Sequence, residues 1–129
     1  MNITTRWTDA HQNILHIHFR GSWSLDEFYL MLEEYNRLTR TINHPYVVIA
    51  DLTNTASMPT RILSTGGYLG NLPNKAHTIL VVGTGTFLEM TLRNLQQQFP
   101  AAINAVLRCD TLGEAYQQAR QITQGFQRV

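Results

Sequence analysis

The stretch VVIADLTNTASMPTRIL, residues 47–63, carries the side chains best suited to chemistry. An apolar run ends at Asp51, short polar residues follow, and Pro59 marks the first turn of a predicted helix. Hydroxyls and free backbone N–H groups at a helix start can hold an anion or a phosphate. Alternatively, Asp51 and Ser57 only satisfy turn and cap hydrogen bonds. The candidate binding residues of this stretch are Asp51, Thr53, Asn54, Thr55, Ser57, Met58 and Thr60.

A glycine-rich turn, GTGT at residues 83–86, follows another apolar run and opens a predicted helix. Its backbone N–H groups suit a small phosphate nest, which adds Gly83 and Thr84 to the candidate binding residues. The sequence matches neither the P-loop nor the dinucleotide fingerprint, so an ordinary glycine-rich turn is the alternative interpretation.

Two histidines, His16 and His18, are spaced to project from the same face of a strand and form half of a metal site. The sequence identifies no third ligand, and we expect both side chains to be solvated on the polar side of an edge hairpin. There is no serine elbow of the G-x-S-x-G type, and no cysteine with a plausible histidine and acid. We therefore expect no metal, no cofactor and no enzymatic activity.

The elements that position these residues begin with a hairpin and a helix. Ile3, Thr5 and Trp7 alternate with polar residues, and a second alternating strand follows the polar connection at residues 9–13. A helical period then covers residues 25 to 42. Ser24 and Glu27 have capping-box spacing at its start, and Trp23 with Phe28 has the spacing of a hydrophobic staple.

Three further apolar runs, residues 46–50, 79–82 and 103–107, predict strands covered on both faces. Between and after them we expect helices over residues 59 to about 72, 87–99, and 112 to about 126. Thr86 with Glu89, and Thr111 with Glu114, are further capping boxes. The first of these helices contains three glycines, at positions 66, 67 and 70, which weaken a helix.

The order β-β-α-β-α-β-α-β-α predicts an α/β fold: a mixed, mostly parallel sheet of about five strands, with an antiparallel N-terminal hairpin and four helices. In such sheets, ligands and partners meet the loops at the carboxyl ends of the parallel strands. Residues 51–60, 83–86 and 109–111 should therefore lie at one edge of the sheet.

Composition narrows the classes of function. With 129 residues, 43% hydrophobic and 15% charged, the chain fits a single domain over residues 1–129. A net charge of +1 from scattered residues gives no support to nucleic-acid binding, and no apolar run approaches the length of a membrane span. The lone Cys109 can form no internal disulfide. We expect a cytoplasmic domain without membrane insertion.

The chain resembles the STAS family of anti-sigma-factor antagonists and sulfate-transporter tails, in its broader SpoIIAA-like and SEC14-like sense. The resemblance covers nearly the whole chain and rests on ILHIHFRG ending at Gly21, on Asp51 and Leu52 after a buried strand, and on TLGEAYQQA near the end. It implies a SpoIIAA-like fold and Thr60 as a possible phosphoacceptor. The aspartate that precedes the phosphoacceptor in the family is replaced by Pro59.

From these observations we expect a non-catalytic regulatory or scaffold domain. It would bind a protein partner, with a homodimer as one option, through the loop and helix after the third strand. The alternative is a domain that binds a small ligand, a nucleotide or a lipid, between that helix and the sheet. A hydrolase or transferase would require reactive residues distant in sequence to converge in space.

Overall fold

A computed structural model describes residues 2–59, 76–98 and 106–126. In that part of the chain, one sheet contains five strands in the order of the sequence: β1 (Ile3–Trp7), β2 (Ile14–Ser22), β3 (Val47–Ser57), β4 (Thr78–Val82) and β5 (Val106–Cys109). The helices described are α1 (Leu25–Thr39), α2 (Thr86–Gln98) and α3 (Leu112–Phe126).

The pairing of the strands confirms the predicted mixed sheet. β1 is antiparallel to β2, and the other neighbouring pairs are parallel. Of the four predicted helices, the one over residues 59–72 falls almost wholly outside the described residues and is not confirmed. None of the described helices has the length and apolar character needed to cross a membrane.

Helix α1 begins as its sequence predicts. The Ser24 hydroxyl accepts a hydrogen bond from the Glu27 backbone N–H at 3.1 Å. The rings of Trp23 and Phe28 stack with centroids 5.9 Å apart, as a staple requires. The helix ends at Thr39, before the predicted residue 42, because the Ile42 N–H bonds to the Thr39 carbonyl in a tighter turn.

The two faces of the sheet have separate cores. In one core, α1 packs against alternate residues of β2 and β3, such as Leu15, Ile17 and Val48. The opposite core packs α3 against Val47, Ile49, Leu80 and Val82. Both faces of the central strands are therefore covered, as the continuous apolar runs predicted.

Strand β3 is longer than predicted, because it continues from residue 50 to Ser57. Its last pairing with β4 joins Asp51 to Val82, but its pairing with β2 continues as far as Ser22 with Ser57. Residues 52–57, termed the β3 arm, were predicted as a loop. That prediction was wrong because the end of β2 supplies a backbone partner to a stretch whose polar residues are typical of turns.

The remaining boundaries are close to the predictions. β5 ends at Cys109, two residues beyond the predicted end, and the predicted residues 103–105 lie outside the described part. Helix α3 begins at Leu112, where the Glu114 N–H donates to the Thr111 hydroxyl at 3.2 Å. Helix α2 already includes Thr86, which was predicted to be its cap.

Candidate functional site

The carboxyl ends of the parallel strands β3, β4 and β5 lie side by side. Asp51 pairs with Val82, and Val82 pairs with Cys109. The Gly83 N–H donates to the Cys109 carbonyl at 3.1 Å, and the Arg108 guanidinium donates to the Gly83 carbonyl at 3.1 Å. The strand ends from which the predicted segments leave are therefore at one edge of the sheet.

Three titratable side chains meet at this edge: His16, His18 and Asp51, termed the His–Asp cluster. Nε2 of each histidine lies 3.9 Å from Oδ2 of Asp51. The two imidazole rings are stacked, with centroids 5.9 Å apart. Residues 16 and 18 share a face of β2, and His18 is the register partner of Asp51, so the topology brings the cluster together.

The prediction that both histidines are solvated was wrong for His16, which is only 7% exposed. β2 is not an edge strand, because it lies between β1 and β3. The Tyr116 ring of α3 packs edge-on against the His16 ring, with the two ring centroids 5.9 Å apart. His18 is half-buried.

Asp51 is 4% exposed, and its two carboxylate oxygens have different surroundings. Oδ1 accepts hydrogen bonds from the Thr53 backbone N–H at 3.0 Å and from the Thr53 hydroxyl at 2.6 Å. This is the local turn-type bonding expected from the alternative interpretation of the sequence. Oδ2 is directed toward the two histidines, which that interpretation does not explain.

A bulge adds Asn54 to the site. The β2–β3 register runs from His18 with Asp51 to Arg20 with Asn54, so β3 carries one extra residue. In an unbroken strand, residues three apart point to opposite faces. In β3, Asp51 and Asn54 both approach His18, and Nδ2 of Asn54 lies 3.1 Å from its Nε2.

His16 has an unbalanced environment. Its Nδ1 lies 3.3 Å from the Tyr116 hydroxyl, but its buried Nε2 has no hydrogen-bond partner among the described residues. Burial lowers the pKa of His16, and the positive charges of Arg6 and protonated His18 lower it further, against the opposing attraction of Asp51. The lowered pKa favours the neutral imidazole at pH 7.

Within the described ranges, no three His, Cys, Asp or Glu side chains are arranged to hold a metal ion. The 3.9 Å separations between Oδ2 of Asp51 and Nε2 of each histidine are too long for direct hydrogen bonds.

The other candidate binding residues of the 47–63 stretch lie along the β3 arm or beyond it. Thr55 accepts a hydrogen bond from the Trp23 indole N–H at 3.2 Å, and Ser57 donates to Ser22 at 2.9 Å. Met58 is half-buried against the α1 core. These contacts hold the arm in place, and Thr53, Asn54 and Ser57 are exposed. Thr60 lies outside the described residues.

At the GTGT turn, Gly83 has a positive φ (+152°) and is closely packed. A Cβ at this position would lie 2.9 Å from Cδ2 of Leu88. Thr84 is exposed beside it and belongs to the same edge of the sheet.

Sequence reasoning missed most of the His–Asp cluster. The His-x-His spacing was a signal, but the partner carboxylate could be found only from the strand register. Asn54 enters through a bulge, and Tyr116 is 100 residues from His16 in the chain, so nothing local pointed to either contact.

Comparisons with known proteins bear on the fold. No family model matches the chain, and no curated protein matches it. Among solved structures, it is similar to the crystal structure of an uncharacterized protein from the DUF3478 family, with a SpoIIAA-like fold, from Shewanella loihica PV-4. The two share 14% sequence identity with a TM-score of 0.65, over 92% of this chain and 94% of that chain. The fold of this chain is therefore SpoIIAA-like.

Proposed function

We propose that this chain is a non-catalytic regulatory or scaffold domain that binds a protein partner through one exposed surface at the edge of the sheet. This rim surface consists of the exposed residues Thr53, Asn54, Ala56 and Ser57 of the β3 arm together with Thr84. The supporting observation is the backbone of the arm. It pairs with β2 on one side, but its pairing with β4 stops at Asp51.

An extended arm with one edge that pairs with no described strand suits recognition of another chain. Backbone N–H and C=O groups on an open strand edge can accept an additional strand, and the flanking side chains then provide specificity. The arm is also held in place before a partner arrives, because Trp23 and Ser22 bond to its side chains. A preorganised surface loses less conformational entropy on binding.

The test compares one substitution at opposite ends of the sheet. Ala56 is exposed on the arm, and Ala10 is exposed in the β1–β2 connection at the far end. The full-length tagged chain would be used to capture partners from an extract of its source organism, with quantitative mass spectrometry. We expect Ala56→Arg to reduce the captured partner about tenfold, equivalent to about 1.4 kcal/mol, and Ala10→Arg to have no effect.

Both variants should retain the wild-type melting temperature, because exposed substitutions usually change stability by less than about 0.5 kcal/mol. Equal capture by the wild type and both variants would contradict binding through the rim surface. Turnover of a substrate that Asp51→Asn abolishes would contradict the non-catalytic assignment.

A further inference from the structure

In the His–Asp cluster, one carboxylate oxygen lies at the same distance from two imidazole nitrogens. Both distances are too long for a hydrogen bond. Oδ2 of Asp51 is 3.9 Å from Nε2 of His16 and 3.9 Å from Nε2 of His18. A charge-assisted N–H···O bond spans about 2.7–2.9 Å, so either contact can shorten by about 1 Å. The oxygen therefore has two competing partners, and the proton on an imidazole can decide between them.

Tyr116 links the protonation state of His16 to helix α3. In neutral His16, the Tyr116 hydroxyl can donate to Nδ1 when the ring proton is on Nε2. An imidazolium has N–H groups at both positions. On protonation, the Tyr116 hydroxyl must therefore accept, and Nε2–H gains an attraction to Oδ2.

Asn54 links His18 to the rim surface in the same way. Its Nδ2 can donate to Nε2 of His18 only while that nitrogen carries a lone pair. Protonation of His18 at Nε2 removes this acceptor and directs an N–H toward Asp51. The Asn54 amide must then turn or find another partner.

We propose that the His–Asp cluster is a proton-operated switch in which uptake of a proton by an imidazole closes Asp51 onto it and rearranges the hydrogen bonds of Asn54 and Tyr116. The proton comes from solvent and forms an N–H bond on the imidazole, and no other covalent bond changes. Among the described residues, the titratable and charged groups facing the switch are Arg6 on β1, both histidines on β2, Asp51 on β3 and Tyr116 on α3. Any effect on partner binding rests on the function proposed above.

Electrostatics limits how many protons the switch takes up. The two imidazoles face each other at 5.9 Å, and Arg6 pairs with His16 across β1 and β2. Two imidazolium charges at this distance repel, so a positive charge on His18 disfavours a proton on His16. The lowered pKa of His16 means that its proton enters below the ordinary value of 6.5.

The test is an NMR titration of the ¹⁵N-labelled full-length chain from pH 8 to pH 5, without any partner. Imidazole nitrogens report protonation directly, and the Thr53 backbone amide and Asn54 side-chain amide report the rim. We expect both amides to shift with the same midpoint as an imidazole of the cluster. In Asp51→Asn, the His16 midpoint should fall by about one pH unit, a tenfold loss of proton affinity, and the Thr53 amide should no longer follow it.

His18→Gln provides a second variant at a half-buried position. Removing the charge that competes with His16 should raise the His16 midpoint. Amides of Thr53 and Asn54 that stay fixed while the imidazoles titrate would overturn the switch, and so would an unchanged His16 midpoint in Asp51→Asn. Because no partner is present, this result is independent of the capture experiment on the rim surface.

Discussion

At the scale of single residues, Asp51 connects the buried face of the sheet to its polar edge. Oδ1 is committed to Thr53, and Oδ2 faces two imidazoles. One side chain therefore serves both as a local turn element and as the centre of a long-range cluster. The sequence indicated the first role, and the parallel register of β2 and β3 supplied the second.

Gly83 should be the least replaceable of the glycines at the edge. Both Gly83 (φ +152°) and Gly85 (φ +122°) have backbones that strain other residues, by about 1–3 kcal/mol. Gly83→Ala would also push against buried Leu88, adding about 1 kcal/mol of rotamer strain. Urea denaturation should show a lower free energy of unfolding for Gly83→Ala than for Gly85→Ala, where a Cβ meets nothing within 4 Å. Equal losses would mean that Leu88 moves aside freely.

Among the helices and strands, the helix caps were predicted from local sequence patterns, but the strand structure of the β3 arm was not. Caps involve residues only three apart, so Ser24 and Thr111 perform the roles that their spacing predicts. The arm consists of polar residues that would be a loop alone, and it becomes a strand because β2 runs beside it.

Ser24→Ala should destabilise the protein by about 1 kcal/mol, because the Glu27 N–H loses its acceptor at the start of α1. Ser24→Asp keeps an acceptor and adds a negative charge near the helix N-terminus, so it should retain wild-type stability. Chemical denaturation measures both variants. A loss of similar size in Ser24→Asp would show that the hydroxyl acts through something other than the cap.

At the scale of the whole molecule, α3 is the described helix that covers the second face of the sheet. Ala115 and Ala119 are fully buried at 0% exposure, so the helix backbone lies close to β3 and β4. This close approach also carries Tyr116 to His16. The geometry of the His–Asp cluster therefore depends on how closely the last helix packs.

Ala119→Leu should lower stability by about 1–3 kcal/mol, because a buried site in contact with the sheet has no room for a larger side chain. Gln121→Leu introduces the same side chain at an exposed position of α3 and should change stability by less than about 0.5 kcal/mol. Thermal and urea unfolding would distinguish them. Equal stability of the two variants would show that α3 can move away from the sheet.

Local sequence patterns were enough to predict the α/β class, the antiparallel hairpin and the starts of α1 and α3. Those features arise from alternation, helical period and caps, which involve residues close together in the chain. The sequence also predicted which strand ends share an edge, because that follows from a parallel sheet. Three features could be seen only in the folded chain: β3 continues past Asp51, His16 is buried, and Asn54 approaches His18. Each of these depends on which strand or helix lies alongside, and contacts between residues 33, 36 or 100 positions apart leave no periodic signal in the sequence.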